Sequence, residues 1–413
     1  MRIFSAGALF TLFCVSLSAT PMVAPRLAVE TAETELFERP LLDRTTAREL
    51  ARFTATPRPP RLVANLRQEA SVETLARPVE LLPASELGKI SVDGAATLRL
   101  RIEANAPGTV LWLAGEDDEE LERFEPGQLA TWGPTTRGAT VFIQVERGAV
   151  ASVTAFAAGA PQTNSSGATC LKDVACAATE ELPELADASR AIAMIRFVRG
   201  DASYVCTGAL LNDAAHSGIP YFLTARHCIS TAAEAASIEA VWDERSDSCG
   251  NPGAKRKSTR TYGAQLLAAS PETDVALLRL DRIPPNRVFL GVTLEPLTDG
   301  APTYRLSHAG GLPQTYSAGV VRADGPGCTS APRSHFIYTS ASTGTVTTGS
   351  SGAPLLLPGL RVAGQLLGMC GPSPNDACAI YNDAVDGSIA ASWPLLAPFL
   401  DPPVTSRRRS ARH

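Results

Sequence analysis

The chain has 413 residues, 45% of them hydrophobic and 19% charged, which is long enough for two or more domains with cores of their own. Its 37 Lys and Arg against 42 Asp and Glu leave a formal charge of −5. That balance excludes the basic footprint of a nucleic-acid binder or of a protein held on an anionic membrane. The one biased segment, 401–413 with Arg407-Arg408-Arg409, reads as a solvated, disordered tail.

At the N-terminus, Met1-Arg2 precedes an uncharged apolar run from Ile3 to Ala19, followed by small residues and Pro21. This is the pattern of a secretory signal, short for a membrane span and without a charged stop beyond it. Residues 1–24 are therefore expected to be a cleaved leader, ending between Ala19 and Ala24. Phe13 ahead of Cys14 argues against lipid attachment at that cysteine. With no other stretch apolar enough to span a bilayer, the mature chain is expected outside the bacterial cytoplasm, secreted or periplasmic, and off the membrane.

Residues 25–164 hold no cysteine, many charges and the Pro/Arg-rich segment Pro57-Arg58-Pro59-Pro60-Arg61. Within them, runs starting at Gly88, Ala96, Thr109 and Ala139 alternate apolar and polar residues between turn signals, predicting a small β-rich domain. Ala151 to Thr169 is rich in small residues, with Gly159, Pro161, Asn164 and Gly167, and reads as an accessible linker.

Eight of the nine cysteines lie beyond this linker: Cys170, Cys176, Cys206, Cys228, Cys249, Cys328, Cys370 and Cys378. An even set in an exported chain predicts a disulfide framework, and no pair has the CxxC spacing of a zinc site, so neither metal nor cofactor is expected. Short β-type runs such as Ala191 to Val198 and Arg361 to Gly368 alternate with Gly, Pro and Asn turns. Residues 165–400 are accordingly expected to form an all-β sandwich or barrel with few helices.

Three motifs in this region carry chemistry. Tyr221-Phe222-Leu223-Thr224-Ala225-Arg226-His227-Cys228 places a histidine after an apolar strand, Asp274 opens a second apolar strand, and Ser351 sits in Gly349-Ser350-Ser351-Gly352-Ala353-Pro354. A hydroxyl becomes an effective nucleophile when an imidazole takes its proton and a carboxylate orients that imidazole. Each residue alone has a bland reading: a Gly/Ser surface turn, a structural histidine, one of several carboxylates that include Asp243, Asp247 and Asp281. The order His227, Asp274, Ser351 favours the catalytic one, since it is the order of chymotrypsin-like enzymes and differs from subtilisins and α/β-hydrolases.

With Cys206-Thr207-Gly208-Ala209-Leu210-Leu211-Asn212 added, residues 165–398 resemble the chymotrypsin superfamily, and within it the bacterial lysyl endopeptidase branch. The resemblance implies a double antiparallel β-barrel protease, acting on protein or peptide substrates, preceded by a β-rich pro-domain. It also implies amide donors at Gly349 and Ser351 for the oxyanion, and disulfides Cys206–Cys228 and Cys176–Cys249. The remaining four cysteines allow three pairings, of which Cys170–Cys378 with Cys328–Cys370 is favoured. Ser350 replaces the aspartate that pairs with a new N-terminus in mammalian relatives, so latency is expected to rest on the N-terminal domain, as an inhibitor in the cleft or as a folding aid.

In the substrate pocket, Asp383 is the candidate carboxylate for a Lys or Arg preference, with a turn role for Asp383 or Asp386 as the alternative. Thr345, six residues before the nucleophile, is neutral, and Leu367 stands where lysyl endopeptidases carry histidine. Without that imidazole or an evident cationic replacement, glutamate preference is not expected. Gln365 and Gly368 are expected to flank an edge strand that pairs with substrate. The competing function class is an inactive protease fold kept as a secreted binding module, against which stands the full triad; an esterase would show GxSxG with histidine last.

Overall fold

The computed structural model describes residues 68–78, 87–158 and 170–402, apart from short gaps at 105, 127–129, 178–182, 201, 251–257, 325–326, 329, 372–375 and 379–381. The expected leader at 1–24, residues 159–169 of the expected linker and the expected tail from 403 lie outside the described residues.

The N-terminal region is a sandwich of two four-stranded layers. One orders Leu87–Ser91, Thr140–Arg147, Val110–Gly115 and Glu122–Phe124. The other orders Gln68–Pro78, Val150–Ala158, Thr97–Ala104 and Ala130–Arg137. Alternation decides which face is buried: Leu98, Leu100 and Ile102 from one layer and Leu111, Leu113, Val141, Ile143 and Val145 from the other form its core. The expected linker begins later than its composition suggests. Residues 150–158 are a strand between Gln68–Pro78 and Thr97–Ala104, in which Val153, Ala155 and Ala157 are buried. Small residues there fill a tight core face, and composition alone reads them as flexible.

From residue 192 onward the chain builds two barrel-like units. The first is a half-barrel that runs Glu239–Trp242, Ile192–Arg199, Ala202–Leu211, Tyr221–Ala225, Val275–Leu280 and Ala264–Ala269. Phe197, Leu210, Phe222, Ile238, Trp242 and Leu278 fill it. The second closes on itself through Arg361–Cys370, Pro354–Leu357, Pro302–Ser307, Thr315–Val321, Phe336–Thr343 and Asp383–Ser388, because the first and last of these strands also pair. This is the chymotrypsin-like double-barrel architecture. Helices are few: Leu185–Ala191, Ala232–Ala236 and the terminal Ile389–Leu400, whose start is capped by the Ser388 hydroxyl accepting from the Ala391 amide at 3.2 Å.

A third apolar cluster lies between the units. Ala209, Leu211, Leu223 and Leu277 from the first meet Leu306, Tyr316, Leu356 and Val362 from the second, with Ile389, Leu396 and Leu400 of the terminal helix. Cys206–Cys228 lies within the first unit and Cys328–Cys370 within the second, while Cys170–Cys378 and Cys176–Cys249 tie the segment that precedes the barrels to the second and the first. The sandwich joins the outer side of the first unit, where Gln68 to Ser71 pair with Tyr204 to Ala202 and continue its sheet.

Candidate active site

Strands Tyr221–Ala225 and Val275–Leu280 pair in the register Ala225 to Val275, so the residues just beyond the first and just before the second are neighbours. That places His227 against Asp274. The aspartate accepts from the His227 amide at 2.8 Å and from its ring Nδ1 at 2.6 Å. A carboxylate accepts, so Nδ1 carries the proton and Nε2 is left as the basic nitrogen. Asp274 adopts a left-handed φ of 56°, uncommon outside glycine, and its carbonyl is held at the same time by the Arg226 amide at 2.6 Å and Gln365 Nε2 at 2.8 Å. These bonds hold the uncommon conformation in place.

The histidine loop is pinned from behind. Cys206–Cys228 ties it to the adjacent strand, and Arg199 donates from Nη2 to the carbonyls of His227 and Cys228 at 3.0 and 2.7 Å. Arg199 is itself paired with Glu234, which caps the Ala232–Ala236 helix by accepting from the Ser230 and Thr231 amides. For Glu234, burial pushes the carboxyl upward, but the bonds to Arg199 and Ser230 outweigh it and hold the pKa below the usual range.

The serine loop comes from the second barrel and is caught by the first. Thr207 donates its amide to the Ser351 carbonyl at 2.8 Å and its hydroxyl to the Gly349 carbonyl at 2.9 Å, while its own carbonyl accepts from Thr224 Oγ1. Glycine is required at two places in this loop. Gly349 has φ +91° and a Cβ there would stand 2.7 Å from the His308 carbonyl oxygen; Gly352 has φ +84° and a Cβ would meet the Thr207 carbonyl oxygen at 2.3 Å. Among the described residues neither the Gly349 nor the Ser351 amide donates to a protein acceptor, which leaves both N–H groups for a ligand oxygen. Ser350 is fully buried, its Oγ 3.0 Å from Ser307 Oγ, so the position is filled by a hydroxyl pair and not by a charge.

The expected pocket residues separate. Thr345 lines a cavity in the second barrel and donates to the Ala377 carbonyl at 2.7 Å. Gly368 opens onto free space, and the strand Arg361–Cys370 has its pairing with Pro354–Leu357 end at Gln365, which suits an edge for an added strand. The Gln365 side chain is buried and turned to the Thr273 and Asp274 carbonyls, bracing the aspartate. Leu367 packs beside Phe336, Tyr338 and Val385, away from the cavity lining. Asp383 also stands outside that lining, half-buried at the start of its strand, and Asp386 is bonded to Arg305. Thr207, Arg199 and Arg305 were not singled out from the sequence. Thr207 lay within a quoted motif, whereas nothing local marks the two arginines.

The model of the family described as "Lysyl endopeptidase, C-terminal domain" matches residues 163–382. A lysyl endopeptidase of Pseudomonas aeruginosa is 29% identical over 266 residues, covering 57% of this chain. The chain spans only 58% of the length of that relative. Similar solved structures include an HtrA-type protease with a tripeptide, at 18% identity and a TM-score of 0.39, covering 52% of this chain and 62% of the other. Another is a protease from M. tuberculosis in its active form, at 20% identity and 0.37, covering 52% and 84%.

Proposed function

Because the chain belongs to the lysyl endopeptidase C-terminal domain family, we propose that it is a serine endopeptidase. His227 Nε2 takes the proton of Ser351 Oγ as that oxygen attacks a peptide carbonyl carbon. The oxyanion is received by the Gly349 and Ser351 amides. The imidazolium, held by Asp274, then protonates the leaving amine, and water repeats the sequence to release the acyl group. The observation that carries this reading is the doubly bonded His227–Asp274 pair at 2.8 and 2.6 Å beside a serine loop with two undonated amides.

The test is covalent. An organophosphorus or sulfonyl fluoride reagent should modify Ser351 alone, and Ser351→Ala should abolish both labelling and peptide cleavage. Labelling elsewhere, with activity kept in Ser351→Ala, would overturn the reading in favour of a binding module on a protease fold.

Residues 25–164 are proposed as a removable pro-domain, 165–400 as the protease and 1–24 as an export signal. Four disulfides support export, and no helix among the described residues is long and apolar enough to cross a membrane. The pro-domain bonds to Glu239, Arg260, Tyr262 and Arg282 on the outer side of the first barrel. That position supports a folding aid over a plug in the cleft. Removal is checked by N-terminal sequencing of the active secreted protein, and a start near residue 25 would reject it.

A lysine or arginine preference needs a carboxylate facing the pocket. Asp383 stands off the cavity and Asp386 is bonded to Arg305, so the geometry supports the hydrolysis without supporting that preference.

A further inference from the structure

Asp274 belongs to the first barrel by its strand, but part of what holds it comes from the second. Its carboxylate is engaged by His227, and its main chain is held separately: the carbonyl accepts from the Arg226 amide at 2.6 Å and from Gln365 Nε2 at 2.8 Å. Gln365 lies on Arg361–Cys370, is fully buried, and reaches the Thr273 carbonyl at 3.4 Å as well. Both neighbours are acceptors, so the amide nitrogen is the end that faces them. Thr273 is tied to the terminal helix, where Ser392 Oγ donates to Thr273 Oγ1 at 2.7 Å.

Space closes the remaining side. A Cβ on Gly387, the cross-strand partner of Gln365, would stand 1.8 Å from the Thr273 carbonyl oxygen and 2.9 Å from Gln365 Nε2. The Thr273-Asp274 peptide is thus seated against Gln365, Gly387 and Ser392, all from the second barrel and its helix. The seat matters because Asp274 has a φ of 56°, a conformation that persists in a residue other than glycine only where surrounding contacts fix it. Without them the main chain relaxes and carries the carboxylate away from His227 Nδ1. The Gln365 backbone is paired on both sides, with Pro354 and with Gly387, so its side chain acts on the aspartate and not on the edge near Gly368.

Resting on the serine endopeptidase reading above, we propose that Gln365 is a positioning residue for the triad: it reaches across from the second barrel to hold the Asp274 main chain, so that His227 is oriented only when the two barrels are docked. Its effect passes through the aspartate. Removing the amide therefore lowers turnover and leaves substrate binding as it was, and it has little left to remove once the Asp274 carboxylate itself is gone.

The test is a double-substitution cycle in the full-length secreted protein, with hydrolysis of a peptide amide referred to the concentration of folded chain. Gln365→Met keeps the length of the side chain and removes its donor; kcat should fall by about tenfold or more with KM within about twofold of the parent. Added to Asp274→Asn, the same substitution should lower kcat by less than about threefold further. A fall of less than tenfold in the single variant overturns the proposal. So does a further loss of threefold or more on top of Asp274→Asn, which would place the action of Gln365 elsewhere, for instance through the Leu366 carbonyl that accepts from the Gly352 amide at 2.8 Å. If Gln365→Met does not fold, Ser392→Ala decides, since it removes the tie to Thr273 alone among the three supports: a loss of about threefold or more in kcat with KM kept sustains the proposal, and an unchanged kcat overturns it. A parent that no reagent labels at Ser351 and that cuts no peptide overturns the hydrolase reading, and this proposal with it. A labelled, active parent whose Gln365→Met variant is indifferent overturns this proposal alone.

Discussion

Two seams cross this molecule, and they are built from opposite materials. Between the barrels the contact is largely apolar, with Leu211, Leu223, Leu277, Leu306, Leu356 and Val362 buried together, and its polar links include Thr207 to the Gly349 and Ser351 carbonyls and Gln365 to the Asp274 carbonyl, at the candidate site. Between the sandwich and the first barrel the contact is charged. Glu239 is fully buried and accepts from the Thr135 amide at 3.1 Å and its hydroxyl at 2.5 Å, Arg260 donates to the Thr135 carbonyl at 2.7 Å, and Tyr262 donates to Glu122 while its ring meets Phe124 edge-on at 5.1 Å. An apolar seam tolerates changes of pH and holds as long as the fold does. A charged seam depends on its ionisation state, which fits the proposed removal of the sandwich.

If the inter-barrel seam is the catalytic one, the largest effect belongs to it. Asp274→Asn should lower kcat by about 10⁴-fold, because the imidazole loses its oriented tautomer. Steady-state hydrolysis of a peptide amide, normalised to protein reactive at Ser351, measures this, and a loss of less than tenfold would remove Asp274 from the triad.

The charged seam should answer to a different substitution. Glu239→Ala removes the acceptor of the Thr135 amide and hydroxyl and one of the two carboxylates paired with Arg260, and should weaken docking of the sandwich by about 1–3 kcal/mol, while turnover of the protease domain changes little. Chemical denaturation of the full chain reads the first quantity and peptide hydrolysis the second. Equal losses in both would mean that the seams are not separable.

A smaller, mixed effect is expected from Thr207→Val, which removes the hydroxyl that donates to Gly349 O and accepts from the His308 amide at 3.0 Å. Stability should fall by about 1–3 kcal/mol and turnover by up to about 100-fold, since the serine loop loses one of its two ties to the first barrel. A change in stability with kcat intact would confine Thr207 to a structural role.

Acid sharpens the comparison further. Burial alone would push the Glu239 carboxyl upward, but Arg260, Arg99 and Arg196 outweigh it and lower its pKa from 4.5 to about 2. A carboxylate depressed in the folded state stabilises above its unfolded pKa, and that contribution is lost as pH falls through the folded one. Docking of the sandwich should therefore be at full strength above about 4.5 and weaken toward about 2. After a cut within 159–169, gel filtration at stepwise lower pH should show the sandwich leaving the protease domain in that window. Release that begins above pH 6 would point to a different group.

The strand pattern was legible wherever side chains alternate strongly. Runs starting at Gly88, Ala96, Thr109 and Ala139 correspond to Leu87–Ser91, Thr97–Ala104, Val110–Gly115 and Thr140–Arg147, within a residue at their starts. Ala130–Arg137, with Gly133 and Pro134 inside it, and Val150–Ala158, made largely of small residues, were not, because their strand character comes from neighbours that pair with them. The candidate residues His227, Asp274 and Ser351 could be named because each is embedded in a local motif that demands a particular backbone: a buried strand end, a strand start, a glycine-framed turn.

What the sequence by itself determined is thus the local grammar: the order of the candidate residues, the glycines that frame Ser351, the even cysteine count and the break between a cysteine-free and a cysteine-rich half. Which face of the Asp383–Ser388 strand meets the cavity, that Gln365 turns inward to hold Asp274, and that Arg305 arrives from 81 residues away to pair with Asp386 were decided by the closed barrel alone. The physical reason is the range of the interactions. Turn geometry and alternation act between adjacent residues, whereas a cavity's charge is the sum over side chains from several strands, and no single strand carries that sum in its own sequence.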